Sequence, residues 1–402
     1  MKIKSQTILM DKCLLKKILI GVVIIVVILI IGEIIAALQV MDYNAVHKNR
    51  AEKGLDVYKN YILIKQNPIP NAGKYYNSFF KKDKFYGLRD FYYAASYKTY
   101  LPCGYTNDIV SYNAIKNVLL AGARVIHLDI FFKGNDPFGD DASIIVGNVI
   151  DGQLSFLKGS SEDKHYLEFM NCLDLIMELA WKKSDAPLFL YLNMEFLPNK
   201  MLEYQIFSQL MEKCSSRFMD KYYGFQRINI GDIPVNMSIG KLIILTNRVP
   251  INGSLNEITN GVMSEDSTNI ILYKITDKEI EYGGIKTKFP KKEDAVKISM
   301  FNLVAVMKES VPNDKNKYNP KIDTQNYDAS YHFELGISIT FMNWQSYPKE
   351  YLEKFTEGGM ILKPAELIYI PKPKPPVQQR DTQFDYETTR VTGMNGFYDF
   401  DF

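Results

Sequence analysis

The chain has 402 residues, a formal net charge of +2, and is 47% hydrophobic and 13% aromatic. That length suits one large domain or two smaller ones, and near-neutral charge without a basic stripe interleaved with aromatics excludes a nucleic-acid-binding surface. The four cysteines, Cys13, Cys103, Cys172 and Cys214, show no CxxC or Cys/His spacing, which excludes a disulfide framework and a zinc site.

In chain order, residues 18–38, ILIGVVIIVVILIIGEIIAAL, are apolar except for Glu33. At about 1.5 Å per residue, such a helix crosses a hydrocarbon core of about 30 Å. The run is longer than a signal-peptide core, and Ala36-Ala37-Leu38-Gln39 is a poor cleavage site, so a single membrane anchor is expected. Glu33 lies near one end, where it reaches the interface in a structural role. Cys13, just before the run, is an acylation candidate, although an unmodified thiol is the plainer reading. Lys2, Lys4, Lys12, Lys16 and Lys17 precede the run, whereas Lys48, Arg50, Lys53 and Lys59 follow it mixed with acids. The denser cluster places the N-terminus in the cytosol and the large domain in a lumen or outside. Asn236-Met237-Ser238 and Asn252-Gly253-Ser254 are glycosylation acceptor patterns, though these are common by chance.

Residues 41–84 are charged, Tyr-rich and contain Pro68 and Pro70, and read as a stalk. From residue 85, strand-like and helical stretches alternate. The stretch 114–132, AIKNVLLAGARVIHLDIFF, reads as an amphipathic helix, a tight Gly turn and a buried strand. Residues 142–149 form a short apolar strand, 166–181 a helix, 187–196 (PLFLYLNMEF) a buried strand, 202–214 a helix and 240–246 a buried strand. This rhythm implies a parallel sheet covered or closed by helices. Residues 250–293 lose the rhythm and read as a linker or insertion, with strand character at 270–275. A helix at 295–310 and a buried strand at 334–344 restore order, and 366–370 is expected to close the fold. PKPKPP at 371–376 reads as a polyproline arm, and the aromatic-acidic tip 397–402 as a docking tail or a disordered end.

Within the strand that contains them, His127 and Asp129 are two apart and share a face. Two same-face polar groups near the C-terminal end of an apolar strand suggest the functional mouth of an α/β barrel. Equally open is a buried His and Asp satisfied by neighbouring backbone.

The ordered segments resemble the X and Y halves of phosphoinositide-specific phospholipase C. Residues 95–101 (ASYKTYL) are similar to that family's SSHNTYL, 124–129 (RVIHLD) to RCVELD, 187–193 to PVILSLE and 240–244 to GKILV. Asn326-Tyr327-Asp328, Gly336 and Asn343-Trp344-Gln345 are similar to NYDP…G…LNFQT, and Leu362-Lys363-Pro364 matches VLKP. The resemblance implies a distorted TIM-type (β/α)8 barrel split by a linker, and the apolar run 18–38 places one transmembrane helix before it. The implied division is tip and anchor 1–40, stalk 41–84, X-like half 85–249, linker 250–293, Y-like half 294–370 and tail 371–402. It also implies descent from enzymes that hydrolyse phosphoinositides with Ca²⁺.

The family's working positions differ here. Its first catalytic His is Tyr97, its neighbouring Ca²⁺-ligand Asn is Lys98, and the second His region, 144–148, contains no histidine. Proton transfer near neutral pH is work that His does best, yet the four histidines are His47, His127, His165 and His332. His127 and Asn193 replace two family Glu ligands, and Asp129 alone keeps its identity. Ca²⁺ wants several oxygen ligands, so no cofactor is expected, and a Lys98–Asp129 ion pair is expected in its place. The family's head-group lysines align near Leu245 and Asn247, and its Arg and Tyr align with Lys317 and Asn319. Lys317 and Ser299 remain candidate substrate-binding residues. A counter-reading joins Glu195, two residues after Asn193, with His127 and Asp129 in a rebuilt transition-metal site.

Two functions follow. One is a membrane-anchored, catalytically inactive barrel that binds a lipid head group or a protein; the other is an active phosphodiesterase with a rebuilt site. No PH, EF-hand or C2 module is expected beside the barrel. Enrichment in Ile, Lys, Asn and Tyr fits an AT-rich genome, such as that of a large virus or a protist, and a viral or organellar membrane is one location compatible with the anchor.

Overall fold

A computed structural model of the chain describes residues 17–35, 38 and, with interruptions, 86–369; the longest interruptions are 103–109, 135–142, 155–165 and 310–325. The expected stalk and tail, together with Cys13, His47, Cys103, His165, Lys317 and Asn319, lie outside the described residues.

Eight parallel strands close on themselves. They are β1 (Phe91–Ser96), β2 (Val125–Lys133), β3 (Leu188–Met194), β4 (Leu242–Thr246), β5 (Gly261–Ser264), β6 (Ile270–Ile275), β7 (Leu303–Lys308) and β8 (Ile339–Met342). Each pairs with the next in sequence, and closure falls at β1, where Ala95 lies opposite both Val125 of β2 and Phe341 of β8. The strands are apolar because both faces are covered, one by the barrel interior and one by helices. Residues in register share a face, so Val125 and Phe189 lie in one interior layer and His127 and Tyr191 in the next. The interior is packed: the Tyr93 and Phe189 rings meet edge to face at 4.7 Å, and the His127 ring lies 5.0 Å from Tyr191 and 5.9 Å from Phe341. This is a filled TIM-type core rather than a pore.

Helices α1 (Tyr112–Leu120), α2 (Phe169–Leu179), α3 (Lys200–Cys214) and α4 (Lys292–Phe301) belong to the outer layer. Side-chain caps fix two of their starts. Ser111 accepts from the Asn113 N–H, and Asn199 accepts from the Met201 and Leu202 N–H groups, satisfying donors that an uncapped helix leaves open. Three strands extend the barrel: Ser143–Gly147 runs antiparallel to β2, Tyr166–Glu168 runs antiparallel to that strand, and Met360–Leu362 runs antiparallel to β1.

Several boundaries differ from the sequence reading. Residues 250–293 are not merely a linker, because they carry β5 and β6 of the barrel itself. The expected helix 295–310 ends at Phe301, and Leu303–Lys308 is a fully buried barrel strand. The expected helix from 166 begins at Phe169 after a short strand, and 334–344 contracts to β8, preceded by a short helix, Ser330–Glu334. Residues 365–367 form a 3-10 turn, and closure comes from β8 rather than from 366–370. At 168–169 and at 301–303 a short strand abuts a helix, so the apolar period changes within one or two residues and cannot be parsed locally.

Lys17–Ile35 is a 19-residue helix with none of its span buried in protein, long and apolar enough to cross a membrane.

Candidate functional site at the barrel mouth

The C-terminal ends of parallel barrel strands present the loops that vary and the side chains that emerge from the core. Here that end holds a cavity of about 480 Å³ whose floor is Tyr97, His127 and Tyr191. Period-two alternation along β2 lifts Asp129 one layer above His127, and the register between β2 and β3 sets Asn193 directly beside Asp129.

The segment after β1 folds back over β2. The Thr99 N–H donates to the His127 carbonyl (3.1 Å), and the His127 N–H donates to the Thr99 hydroxyl (3.1 Å). Lys98 takes φ of 41°, a conformation no other described non-glycine residue adopts; such backbone is uncommon for a residue with a Cβ. The turn aims the Lys98 side chain inward, where it is 5% exposed.

Asp129 collects four donors. Its Oδ1 accepts from Asn193 Nδ2 (2.7 Å) and pairs with His127 Nε2 (2.9 Å). Its Oδ2 accepts from the Tyr100 hydroxyl (2.6 Å) and lies 3.5 Å from the Lys98 ammonium. The Lys98 backbone N–H donates to His127 Nδ1 (3.3 Å), which leaves Nε2 as the ring nitrogen that carries the proton toward Asp129. Both imidazole nitrogens are therefore engaged inside the network.

Electrostatics follow from burial and pairing. Burial alone would raise the Asp129 carboxyl, but the Lys98 charge and the bonds from His127 and Tyr100 outweigh it and hold it well below the usual carboxylate range. Burial would lower the Lys98 ammonium, and the Asp129 charge instead carries it above its ordinary value. Burial, and then the Asp129 charge, pushes the Tyr100 hydroxyl far up, so it stays a proton donor. Burial raises Glu195 as well, with the Asp129 charge adding to it.

The sequence-derived candidates separate into two places. Tyr97, His127, Asp129 and Glu195 line one cavity. His127, Asp129 and Glu195 do not converge as a ligand set, however. Asn193 Nδ2 stands between the two carboxylates, donating to Asp129 at 2.7 Å and to Glu195 Oε1 at 2.6 Å, and His127 Nε2 faces Asp129. Among the described residues, no group of three or more His, Cys, Asp or Glu side chains is arranged to hold a metal ion. Ser299 is elsewhere: it lies on α4, four residues before β7 begins, at the opposite end of the barrel. There its hydroxyl bonds the Val296 and Leu335 carbonyls (2.9 and 2.6 Å) and cannot reach a ligand at the mouth. Leu245 is buried in β4, and the Asn247 amide is engaged with the Met194 backbone (3.0 and 3.4 Å). Tyr100 is the donor that spacing missed, because only the fold-back of 97–101 brings it to Asp129.

Neither a protein-family model nor a curated protein matches the chain. Solved structures do. PLC21 of S. officinalis superposes with a TM-score of 0.54 at 14% identity, over 72% of this chain and 38% of that one. PLC21 of L. pealei gives 0.52 at 16% identity, over 72% and 38%. The chain thus spans 38% of the length of each. At these identities the likeness shows a shared barrel fold of the phospholipase C kind.

Proposed function

We propose that this chain is a membrane-anchored phospholipase C-like barrel that binds a ligand at its mouth without hydrolysing a phosphodiester. The observation that carries this reading is the saturation of Asp129 by Lys98, Tyr100, His127 and Asn193. Phosphodiester cleavage requires a group free to take and return a proton and a charge aimed at the phosphate. Both His127 nitrogens are occupied, and the Lys98 ammonium is held by a carboxylate. A divalent cation at Asp129 would have to displace the Lys98 ammonium, which already supplies the compensating charge. Tyr97, at the position the resemblance gives to a catalytic histidine, is 3% exposed, and its tyrosine hydroxyl is a poor base near neutrality. Lys17–Ile35 supports anchoring in a membrane, and the lysines that precede it favour a cytosolic N-terminus with the barrel on the other side.

The test is hydrolysis of phosphatidylinositol 4,5-bisphosphate in mixed micelles by the full-length protein, with Ca²⁺ and then with Mn²⁺ or Zn²⁺. The expected result is no turnover above the uncatalysed rate with any of the three. Turnover that disappears in Asp129→Asn would overturn the proposal in favour of a phosphodiesterase rebuilt on His127, Asp129 and Glu195.

A further inference from the structure

The helices that cover the barrel present different outer faces. Within α1 the exposed positions are Asn113 and Lys116, and within α2 they are Asn171, Asp174 and Glu178, all of them polar. α3 departs from this. Its Leu202, Ile206, Leu210 and Cys214 are buried on one face, but on the opposite face Met201 and Tyr204 are each 50% exposed and Met211 is 39% exposed. Leu197, four residues ahead of Met201, is 86% exposed. A helix that is apolar on both faces has one face still to be covered.

The spacing and the charges of that face say what covers it. Leu197, Met201, Tyr204, Ser208 and Met211 recur at intervals of four, three, four and three residues, the spacing with which the side chains of one helix seat between those of another. Lys200 stands at the first position of α3 and Glu212 in its last turn, both exposed. Each is set against its own helix dipole, which favours an anion at the N-terminus and a cation at the C-terminus. The adjacent Lys213 ammonium is held by Asp174 (2.9 Å) and lies 3.7 Å from Glu212. A parallel copy of α3 sets Lys200 beside Lys200 and Glu212 beside Glu212. An antiparallel copy brings each to the end of opposite charge and opposite dipole.

We infer that the exposed face of α3 is an interface with a second copy of this chain, in which the two α3 helices pack antiparallel about a two-fold axis. Met201 then meets Met211 of the partner subunit, and Tyr204 meets Ser208 of the partner subunit. The contact is self-complementary and closes at two copies. A two-fold axis along the membrane normal keeps both barrels on one side of one bilayer. A seam of five side chains buries less than the ~800 Å² per partner of a stable soluble interface, and confinement to a common membrane supplies the effective concentration that the area lacks. The inference is independent of what the mouth binds or hydrolyses.

The experiment uses the full chain in phosphatidylcholine nanodiscs loaded with one or two copies, with Cys13→Ser and Cys103→Ser in every variant; Cys172 and Cys214 are buried and stay. After mild oxidation, the double variant Met201→Cys/Met211→Cys should run as a disulfide-linked dimer from two-copy discs. Either single cysteine variant should give about tenfold less, because antiparallel pairing leaves each position about 15 Å from its own counterpart, beyond disulfide reach. Added to the cysteine pair, Lys200→Glu and Glu212→Lys should each lower the trapped dimer about threefold, and the two together should restore it. An environment-sensitive dye on Tyr204→Cys should report water in one-copy discs and a shielded site in two-copy discs. No bridging by the cysteine pair, equal bridging by a single variant, or a charge swap that restores nothing would overturn the inference. So would a dye already shielded in one-copy discs, which assigns the face to the lipid surface instead.

Discussion

Lys98 and Asp129 form a buried ion pair, and the worth of such a pair lies in neither partner being left alone. Removing one partner of a buried pair typically costs about 3–5 kcal/mol, because the remaining charge stays in low dielectric without compensation. Asp129→Asn should therefore lower the unfolding free energy by about that amount in urea titrations. Adding Lys98→Met to it should recover more than half of the loss, since the orphaned ammonium is removed. A double variant no more stable than the single one would mean that the network of Tyr100, His127 and Asn193, rather than the charge pair, holds the loop. Lys363 makes the contrasting case at the other end of the barrel. It is 2% exposed, with Nζ 3.5 Å from the Ser299 carbonyl and 5.7 Å from the Tyr92 ring centre. Burial lowers its amine to about 7, although the Asp90 carboxylate opposes the shift. Between pH 7 and 10.5 the unfolded chain holds a proton that the folded chain has released, so stability from this residue rises with pH across that window and is flat below it. Lys363→Met should stabilise the protein at pH 7 by about 1–4 kcal/mol, and the gap to wild type should narrow as pH approaches 10.5. A gap that stays constant between pH 7 and 10.5 would show that the amine stays charged when folded.

At the scale of elements, the antiparallel strand Met360–Leu362 seals β1 against the chain end, and its approach depends on one glycine. Gly359 has φ of +76°, and a Cβ there would collide with the Gly122 carbonyl oxygen and press on the Arg124 side chain. The Gly359 carbonyl accepts the Ala94 N–H at 2.9 Å, so displacing this residue breaks a bond to β1. Gly359→Ala should cost about 2 kcal/mol or more and should speed hydrogen exchange at the Ala94 amide more than at central strands such as β3. Unchanged Ala94 protection would place the collision's relief in the Gly122 turn instead. The fold-back of 97–101 is the other element with a function. Its hydrogen bonds to His127 deliver both Lys98 and Tyr100 to Asp129, which is why the contents of the mouth are fixed before any ligand arrives.

At the scale of the whole molecule, the proposed anchor predicts that the full chain resists alkaline carbonate extraction and that detergent releases it. In sealed vesicles with the cytosolic face outward, the barrel should be protected from protease. Cleavage of the barrel there would reverse the proposed orientation while leaving the anchor intact. The sequence by itself determined the 19-residue apolar helix, because membrane thickness sets length and composition together. It also determined β2, β3, β4 and α3, because strands buried on both faces and helices with one apolar stripe print their periods locally. His127 and Asp129 were legible as a same-face pair for the same reason. Only the tertiary structure decided that Gly261–Ser264, four residues among polar neighbours, is a barrel strand, since what makes it one is pairing with β4 and β6. Barrel closure likewise decided which residues meet Asp129. The register between β2 and β3 brings Asn193 beside it, and the left-handed turn at Lys98 brings an ammonium and a phenol from the preceding loop. Those partners are separated in sequence by 29 to 64 residues, and no local period carries information across such distances, whereas strand pairing around a closed barrel does.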